Sequence, residues 1–439
     1  MSLPKNRAFP SPLQELVSFN GGPRSNSFMR LIRQYNSLFA FCSLGVHVDK
    51  SINTGDGPYV FRINGVVHHR IGSLLPASGN RPEYAQLYIY DTANEIQNRL
   101  NIFSAESSDQ PDAQIVGALI QMLNENNPLV HKFRMARDRL LSPVAPDIAI
   151  RLAGTIDGHG DRYSLPVVPE LAALLIGGLS PNVSSFDVIV EAHTSELKQI
   201  SPIHPALMSL QYPLLFPHGD PGFHPGIMLK QIDGHPTGRD KVSMLEYYAY
   251  YMHYRRGEPN PALCCGRLSQ QYEVNCYSCV EANKLAFYFF NQDLLRCETY
   301  QGISDAIGHG ASTGRDVGIK KMLPASHIGS KRYMQQNFHD CMAICCVYGP
   351  PDKFTTFTCN SKWPEITEAL RFEAGQKPCD RADMVVRVFH MKLQEYLTDI
   401  KEGHIFGPVR VGLFLYNNFY CRLFFRLWVF QLFVYSDSI

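Results

Sequence analysis

Two pairs of cations, Lys320-Lys321 and Lys331-Arg332, bracket a loop containing Pro324 and Gly329, and Tyr333 follows the second pair directly. Lysine and arginine neutralise phosphates and a neighbouring aromatic ring stacks on an unpaired base, so this cluster has the chemistry to hold single-stranded DNA. A solvated loop is the other reading of the same residues. Lys plus Arg is 41 against 40 Asp plus Glu, a net charge of +1, so the chain as a whole makes no electrostatic case for nucleic acid. Any contact has to come from local patches of this kind.

Other reactive residue types are arranged less productively. Tyr247/Tyr251 and Tyr250/Tyr254 have the i, i+4 spacing that puts two hydroxyls on one helix face. That face suits paired nucleophiles, or an aromatic core face with Arg255 and Arg256 at its wet end as backbone-contacting groups. Cys276 and Cys279 lie downstream of Cys264-Cys265 on or beside a predicted helix, whereas zinc ribbons hold their ligands on loops; they read as small core residues, and no metal site is expected. His204, His218, His224 and His235, near Asp220 and Asp233, sit among Pro and Gly without helical pairing and read as loop histidines. His68 and His69 are adjacent, so on a strand they face opposite sides. No G-x-x-x-x-G-K-[ST] loop occurs, so no helicase motor is expected in this chain.

The elements that must position these groups follow an α+β pattern. A chain of 439 residues, 45% of them hydrophobic, is long and apolar enough for two or three ordinary cores. Residues 1–57 are turn-rich and read as poorly structured, with one apolar stretch over 38–46 as a strand. Residues 58–201 read as a mixed α/β domain: strands over 59–63, 86–90, 148–152, 162–168 and 186–191, helices over 93–103, 112–126 and 129–141. On the last helix Lys132, Arg134, Arg137 and Arg139 occupy more than one face and read as a solvated surface. Residues 202–240 form a Pro/Gly/His-rich connector in which a domain boundary is expected. From 241 the pattern is helical (242–255, 263–291, 293–307, 332–348), followed by a strand at Phe354, helices over 364–369 and 383–401, and a strand from Val409. The stretch 411–439 reads as an aberrant apolar tail; Asn417, Asn418, Arg422, Arg426 and Gln431 interrupt it, so stable membrane insertion is not expected. Twelve irregularly spaced cysteines and no signal peptide behind Met1 point to reduced thiols inside a cell.

One segment carries a more specific pattern. Lys353 to Phe357 is β-prone, Asn360-Ser361 is a polar turn, and Pro364-Glu365 opens a helix. With Arg332-Tyr333-Met334 upstream, these residues resemble the first motif of the replication-initiator domain of Helitron transposases. Gly72-Ser73-Leu74-Leu75-Pro76, Gln211 to Pro217, Arg267, Gln270-Gln271-Tyr272, Asn275, Glu281-Ala282, Tyr300-Gln301-Gly302 and Leu323-Pro324 follow in the family's order, so the chain is similar to the plant branch of the family over roughly residues 30–409.

The resemblance implies a partial ferredoxin-like nuclease domain at the C-terminal end, with Phe354, Thr356, Thr358, Asn360, Trp363, Pro364 and Glu365 as its structural motif. It implies nuclear work on single-stranded DNA through Lys320, Lys321, Lys331, Arg332 and Tyr333. The intact family also uses a divalent metal held by a His-hydrophobic-His strand, nucleophilic tyrosines, and ATP. No such histidine pair follows Trp363, and Tyr416, Tyr420 and Tyr435 do not match the nucleophiles. The expectation is therefore a fragment truncated before that motif, with no catalytic residue, cofactor or small-molecule substrate of its own. The alternative is a non-catalytic interaction scaffold derived from a decayed transposon. The chain departs from the family at Gly329-Ser330-Lys331, where Gly-Gly-Pro is usual, and at Ser361, where Pro is usual.

Overall fold

The computed structural model describes residues 3–48, 61–64, 67–103, 110–141, 148–153, 172–176, 187–193, 197–229, 239–292, 322–350, 352–371, 375–405, 407, 409–416 and 430–436. Helices alternate with small antiparallel sheets, an α+β architecture. The chain forms two compact units, one of Met1–Gly55, Ile63–Val280 and Glu368–Asp383, the other of Asp56–Arg62, Glu281–Thr367 and Met384–Ile439. The strand expected over 162–168 and the helix expected over 293–307 lie outside the described residues.

The first unit starts with α1 (Leu13–Leu16) and the long helix α2 (Pro23–Phe39), which corrects the reading of 1–57 as poorly structured and of 38–46 as a strand. Gly22, at φ +88°, turns the chain, and Pro23 at N1 is already set for a helix. Phe28, Ile32, Tyr35 and Phe39 then recur at the spacing that lays one apolar stripe on the core.

The strands β1 (His47–Val48) and β2 (Ile63–Asn64) pair with each other, and β3 (His69–Ile71) pairs further along the chain. Residues 86–90 are expected as a strand, but Tyr84–Tyr88 form a 3-10 turn. Gln86 Oε1 accepts the Glu83 N–H at 3.0 Å and Tyr88 donates its hydroxyl to Phe39 O at 2.6 Å, local bonds that outcompete a ladder.

The helices α3 (Glu95–Leu100), α4 (Ala113–Asn126) and α5 (Pro128–Leu140) follow. Asp112 caps α4 by accepting from Gln114 N at 2.7 Å, and Asn127 caps α5 by accepting from Leu129 N at 2.9 Å. The strands β4 (Ile148–Leu152), β5 (Ala172–Ile176) and β6 (Val188–Glu191) form a sheet in the order β5–β4–β6, and β7 (Lys198–Ile200) pairs with β3. On β4, Ile148, Ile150 and Leu152 alternate into the core.

Arg134 of α5 departs from its expected place on a solvated surface. It reaches Glu95 Oε2 at 2.7 Å, while Arg99, fully buried, takes Glu95 Oε1 at 2.7 Å and lies 4.4 Å from the Tyr88 ring and 4.8 Å from the Phe39 ring. One carboxylate thus pairs with two cations inside an aromatic sleeve.

The described part of the expected connector is packed chain. Leu207, Met208, Leu210, Tyr212, Leu214 and Leu215 are buried around α6 (Leu207–Gln211), and Gly222 is needed where its backbone closes on Pro205, because a Cβ there would lie 3.0 Å from Pro205 O. The unit continues with α7 (Met244–Tyr251), α8 (Pro261–Cys264) and the start of α9 (Arg267–Phe290).

In the second unit, α9 ends and α10 (Lys331–Tyr348), β8 (Lys353–Phe357), α11 (Pro364–Leu370), α12 (Ala382–Lys401), β9 (Val409–Tyr416) and β10 (Phe430–Ser436) follow. The expected aberrant tail supplies most of β9 and all of β10, and β10 is the central strand of an antiparallel sheet ordered β8–β10–β9. Phe389, Leu393, Leu397 and Ile400 of α12 are the buried core of this unit. Among the described residues no helix is long and apolar enough to cross a membrane.

Candidate nucleic-acid interface

The start of α10 is built by its preceding turn. Gly329, at φ +83°, reverses the chain, and Ser330 caps the helix by accepting from Tyr333 N at 3.0 Å while its hydroxyl donates to Pro324 O at 2.8 Å. Ser330 therefore initiates the helix without the family's Pro at the next position. On the α9 side, Gln292 clamps Met322 with both ends of its amide, at 2.8 and 3.0 Å, and His327 lies 3.4 Å from Glu281 Oε1. Ser330→Ala removes two bonds made by a 4% exposed residue, and is expected to lower stability by about 1–2 kcal/mol, measured as a shift of the urea midpoint.

This geometry separates the expected DNA-binding residues. Lys331 is exposed, whereas Arg332 and Tyr333 are half-buried, and residues one or two apart on a helix point to different faces. Lys320 and Lys321 lie outside the described residues. The exposed face that contains Lys331 continues through Gln335, Phe338 and Met342 at i+4, i+7 and i+11, with Phe338 60% exposed. Phe338 does not stand out in the sequence; its spacing from Lys331 is the signal that places it there. A cation and an exposed ring on one helix face can meet a phosphate and an unpaired base of the same strand.

The motif residues serve packing. Phe357 stacks on Tyr396 (5.0 Å between centroids, 15°) and on Trp363 (5.9 Å, 23°), and also contacts Phe389. Asn360 Oδ1 accepts from Lys362 N at 2.9 Å and Asn360 O from Trp363 N, which forms the turn despite Ser361. Pro364 opens α11, and the Lys392 ammonium 2.6 Å from Glu365 holds that carboxyl below its usual range. Thr356 and Thr358 are exposed; the Phe354 side chain lies outside the described ones.

Of the family-like polar residues of the first unit, Gln211, Gln270, Gln271 and Asn275 are buried rather than presented to a ligand, whereas Arg267 is exposed. Gln211 Oε1 lies 3.3 Å from both His69 Nδ1 and the Cys42 thiol, and Asn275 Oδ1 lies 3.0 Å from His69 Nε2. Gln271 accepts from Arg33 Nε at 2.7 Å. Burial lowers the His69 pKa and favours the neutral ring, whose single N–H can donate to only one of the two amide oxygens.

The remaining groups behave as structure. Tyr247 and Tyr248 are buried, and Arg255 lies 3.8 Å from the Tyr250 ring and donates to Tyr250 O, the aromatic core face with a cationic end. Cys276 and Cys279 are core residues whose thiols burial pushes up, that of Cys279 to about 12. His204 accepts from Ala206 N, and burial pushes it down to about 4, as it does His224; His218 bonds Ala8 O. His235 and Asp233 lie outside the described residues. Among the described residues no three His, Cys, Asp or Glu side chains gather around a common point that could hold a metal ion.

Residues 247–416, from within α7 to the end of β9, match the family model of the Helitron helicase-like domain at the N-terminus. No curated protein matches the chain.

Proposed function

We propose that this relative of the Helitron transposases engages single-stranded DNA through the exposed face that begins at the start of α10, and that these 439 residues hold a strand rather than cut it. The observation that carries the reading is the alignment of Lys331, Gln335, Phe338 and Met342 on one exposed helical face, beside Arg332 and downstream of Lys320-Lys321 in sequence. The antiparallel sheet β8–β10–β9 with α12 behind it supports a ferredoxin-like nuclease ancestry, and nuclear work follows from that descent. For cleavage, the family's chemistry calls for a histidine pair. After Trp363 this sequence has only His390 and His404, and the described donor groups do not fit a divalent ion.

The test is a salt series on an oligothymidylate. Lys320→Ala/Lys321→Ala/Lys331→Ala/Arg332→Ala is expected to flatten the slope of log K against log salt by about 0.7 for each phosphate no longer neutralised. Phe338→Ala is expected to weaken binding by about 1–3 kcal/mol with the slope unchanged. An unaltered affinity and slope in the quadruple variant would sink the reading. An interaction scaffold is the second reading, favoured by the exposed Met334, Phe338 and Met342, and it predicts no strand binding at any salt concentration.

A further inference from the structure

The first unit holds a cavity of about 510 Å³. Tyr247, Tyr248 and Tyr272 form its aromatic wall, Pro221 and Pro261 flank it, and the N-terminal segment Pro4–Arg7 is also part of its lining. That segment is strapped down along its length. Tyr250 donates its hydroxyl to Leu3 O at 3.0 Å, Tyr251 to Pro4 O at 3.1 Å, and His218 Nε2 bonds Ala8 O at 3.1 Å. Lys5 pairs with Glu258 at 2.8 Å and Arg7 with Asp220 at 3.5 Å.

Two features point to a ligand. The hydroxyls of Tyr247, Tyr250 and Tyr251 all donate to carbonyls, but that of Tyr248, in a side chain 3% exposed, has no hydrogen-bond partner among the described residues. A phenol on the cavity wall that bonds no protein group is open to the polar edge of a bound molecule. At the mouth, Lys5 and Arg7 are 73% and 60% exposed, so their ion pairs are weak and can be exchanged for a phosphate. The volume is that of a small-molecule site, and flat aromatic and prolyl walls suit a planar heterocycle.

We propose that this cavity binds a nucleobase with its sugar, the base against the tyrosine wall with its polar edge on Tyr248 and an attached phosphate at Lys5 and Arg7. The base arrives either as a free nucleoside or nucleotide or as an unpaired residue of a DNA strand. The site rests on the first unit alone and does not depend on the α10 interface.

Calorimetric titration of the full chain with thymidine, adenosine and dTMP is expected to give saturable binding, weakened about three- to tenfold by Tyr248→Phe with the melting temperature unchanged. Lys331→Ala/Arg332→Ala should leave nucleoside binding intact, which separates this site from the α10 interface. An oligothymidylate and an abasic strand of equal length distinguish the sources. If strands supply the base, Tyr248→Phe weakens the first and spares the second; if free nucleosides do, it weakens neither strand. Absence of nucleoside and nucleotide binding, or equal binding by wild type and Tyr248→Phe, would overturn the proposal. So would capture of a proline-rich peptide with nucleosides excluded.

Discussion

Glu95→Ala is expected to destabilise the first unit by about 3–5 kcal/mol, the range for removing one partner of a buried ion cluster. Arg99 is fully buried and Arg134 has 12% of its side chain exposed, and Glu95 is the acidic partner of both. Without it two guanidinium groups remain desolvated beside Tyr88 and Phe39, whose ring faces recover only part of the loss. Arg134→Ala should cost less, because the Glu95–Arg99 pair survives and the vacated edge is near solvent. Urea denaturation followed by far-UV circular dichroism measures both; a Glu95→Ala loss below about 1 kcal/mol would show that the cluster relaxes into water.

Glu273→Gln is expected to act in the opposite direction at alkaline pH. Burial pushes the Glu273 carboxyl up to about 8, Asp383 adds to the shift, and Arg381 opposes it. The Arg381 guanidinium is already held by Asp383 at 2.9 and 3.0 Å and covered by the Tyr254 ring, so it cannot fully serve a second carboxylate. Between the ordinary value of 4.5 and about 8 the folded chain keeps a proton that the unfolded chain has lost. Stability from this group is therefore complete below about pH 4.5 and falls as pH rises, by roughly 1.4 kcal/mol per unit, until about pH 8. The glutamine variant removes that slope. The difference between its denaturation midpoint and that of wild type should grow steadily from about pH 5 to 8 in favour of the variant, then level off, with a ceiling on the order of 4 kcal/mol. Parallel curves would mean that Glu273 meets water in the folded state.

The parts of this fold that could be read from sequence were those fixed by neighbours along the chain. Asp112, Asn127, Ser330 and Pro364 sit where helices begin, and the spacing of Ile115, Leu119 and Met122 or of Phe389, Leu393 and Leu397 marks the buried face. Helix α2 is hidden because Gly21-Gly22-Pro23 spells both a turn and a helix start, and only the packed stripe behind it decides. The strands β5 and β10 are short apolar runs with no period to separate strand from helix. At the interface, the cations were legible by type, but the turning of Tyr333 away from Lys331 depends on helical phase. The tyrosine cavity needed a strap joined across 247 positions of sequence, from Leu3 to Tyr250, which no local pattern reports.

The order β8–β10–β9 also sets a timetable for the second unit. A ribosome delivers β8, then α11 and α12, then β9, yet none of the described ladders of this sheet joins β8 to β9 directly. Both wait for 430–436, and until those residues arrive each carries an open row of N–H and C=O groups on an apolar strand. The nascent unit is thus held together by the aromatic cluster of Phe357, Trp363, Phe389 and Tyr396 before any hydrogen-bonded sheet exists. During that interval it is at its most vulnerable to pairing with another chain, and a chaperone or bound nucleic acid that shields the two edges would act on yield rather than on the stability of the finished protein.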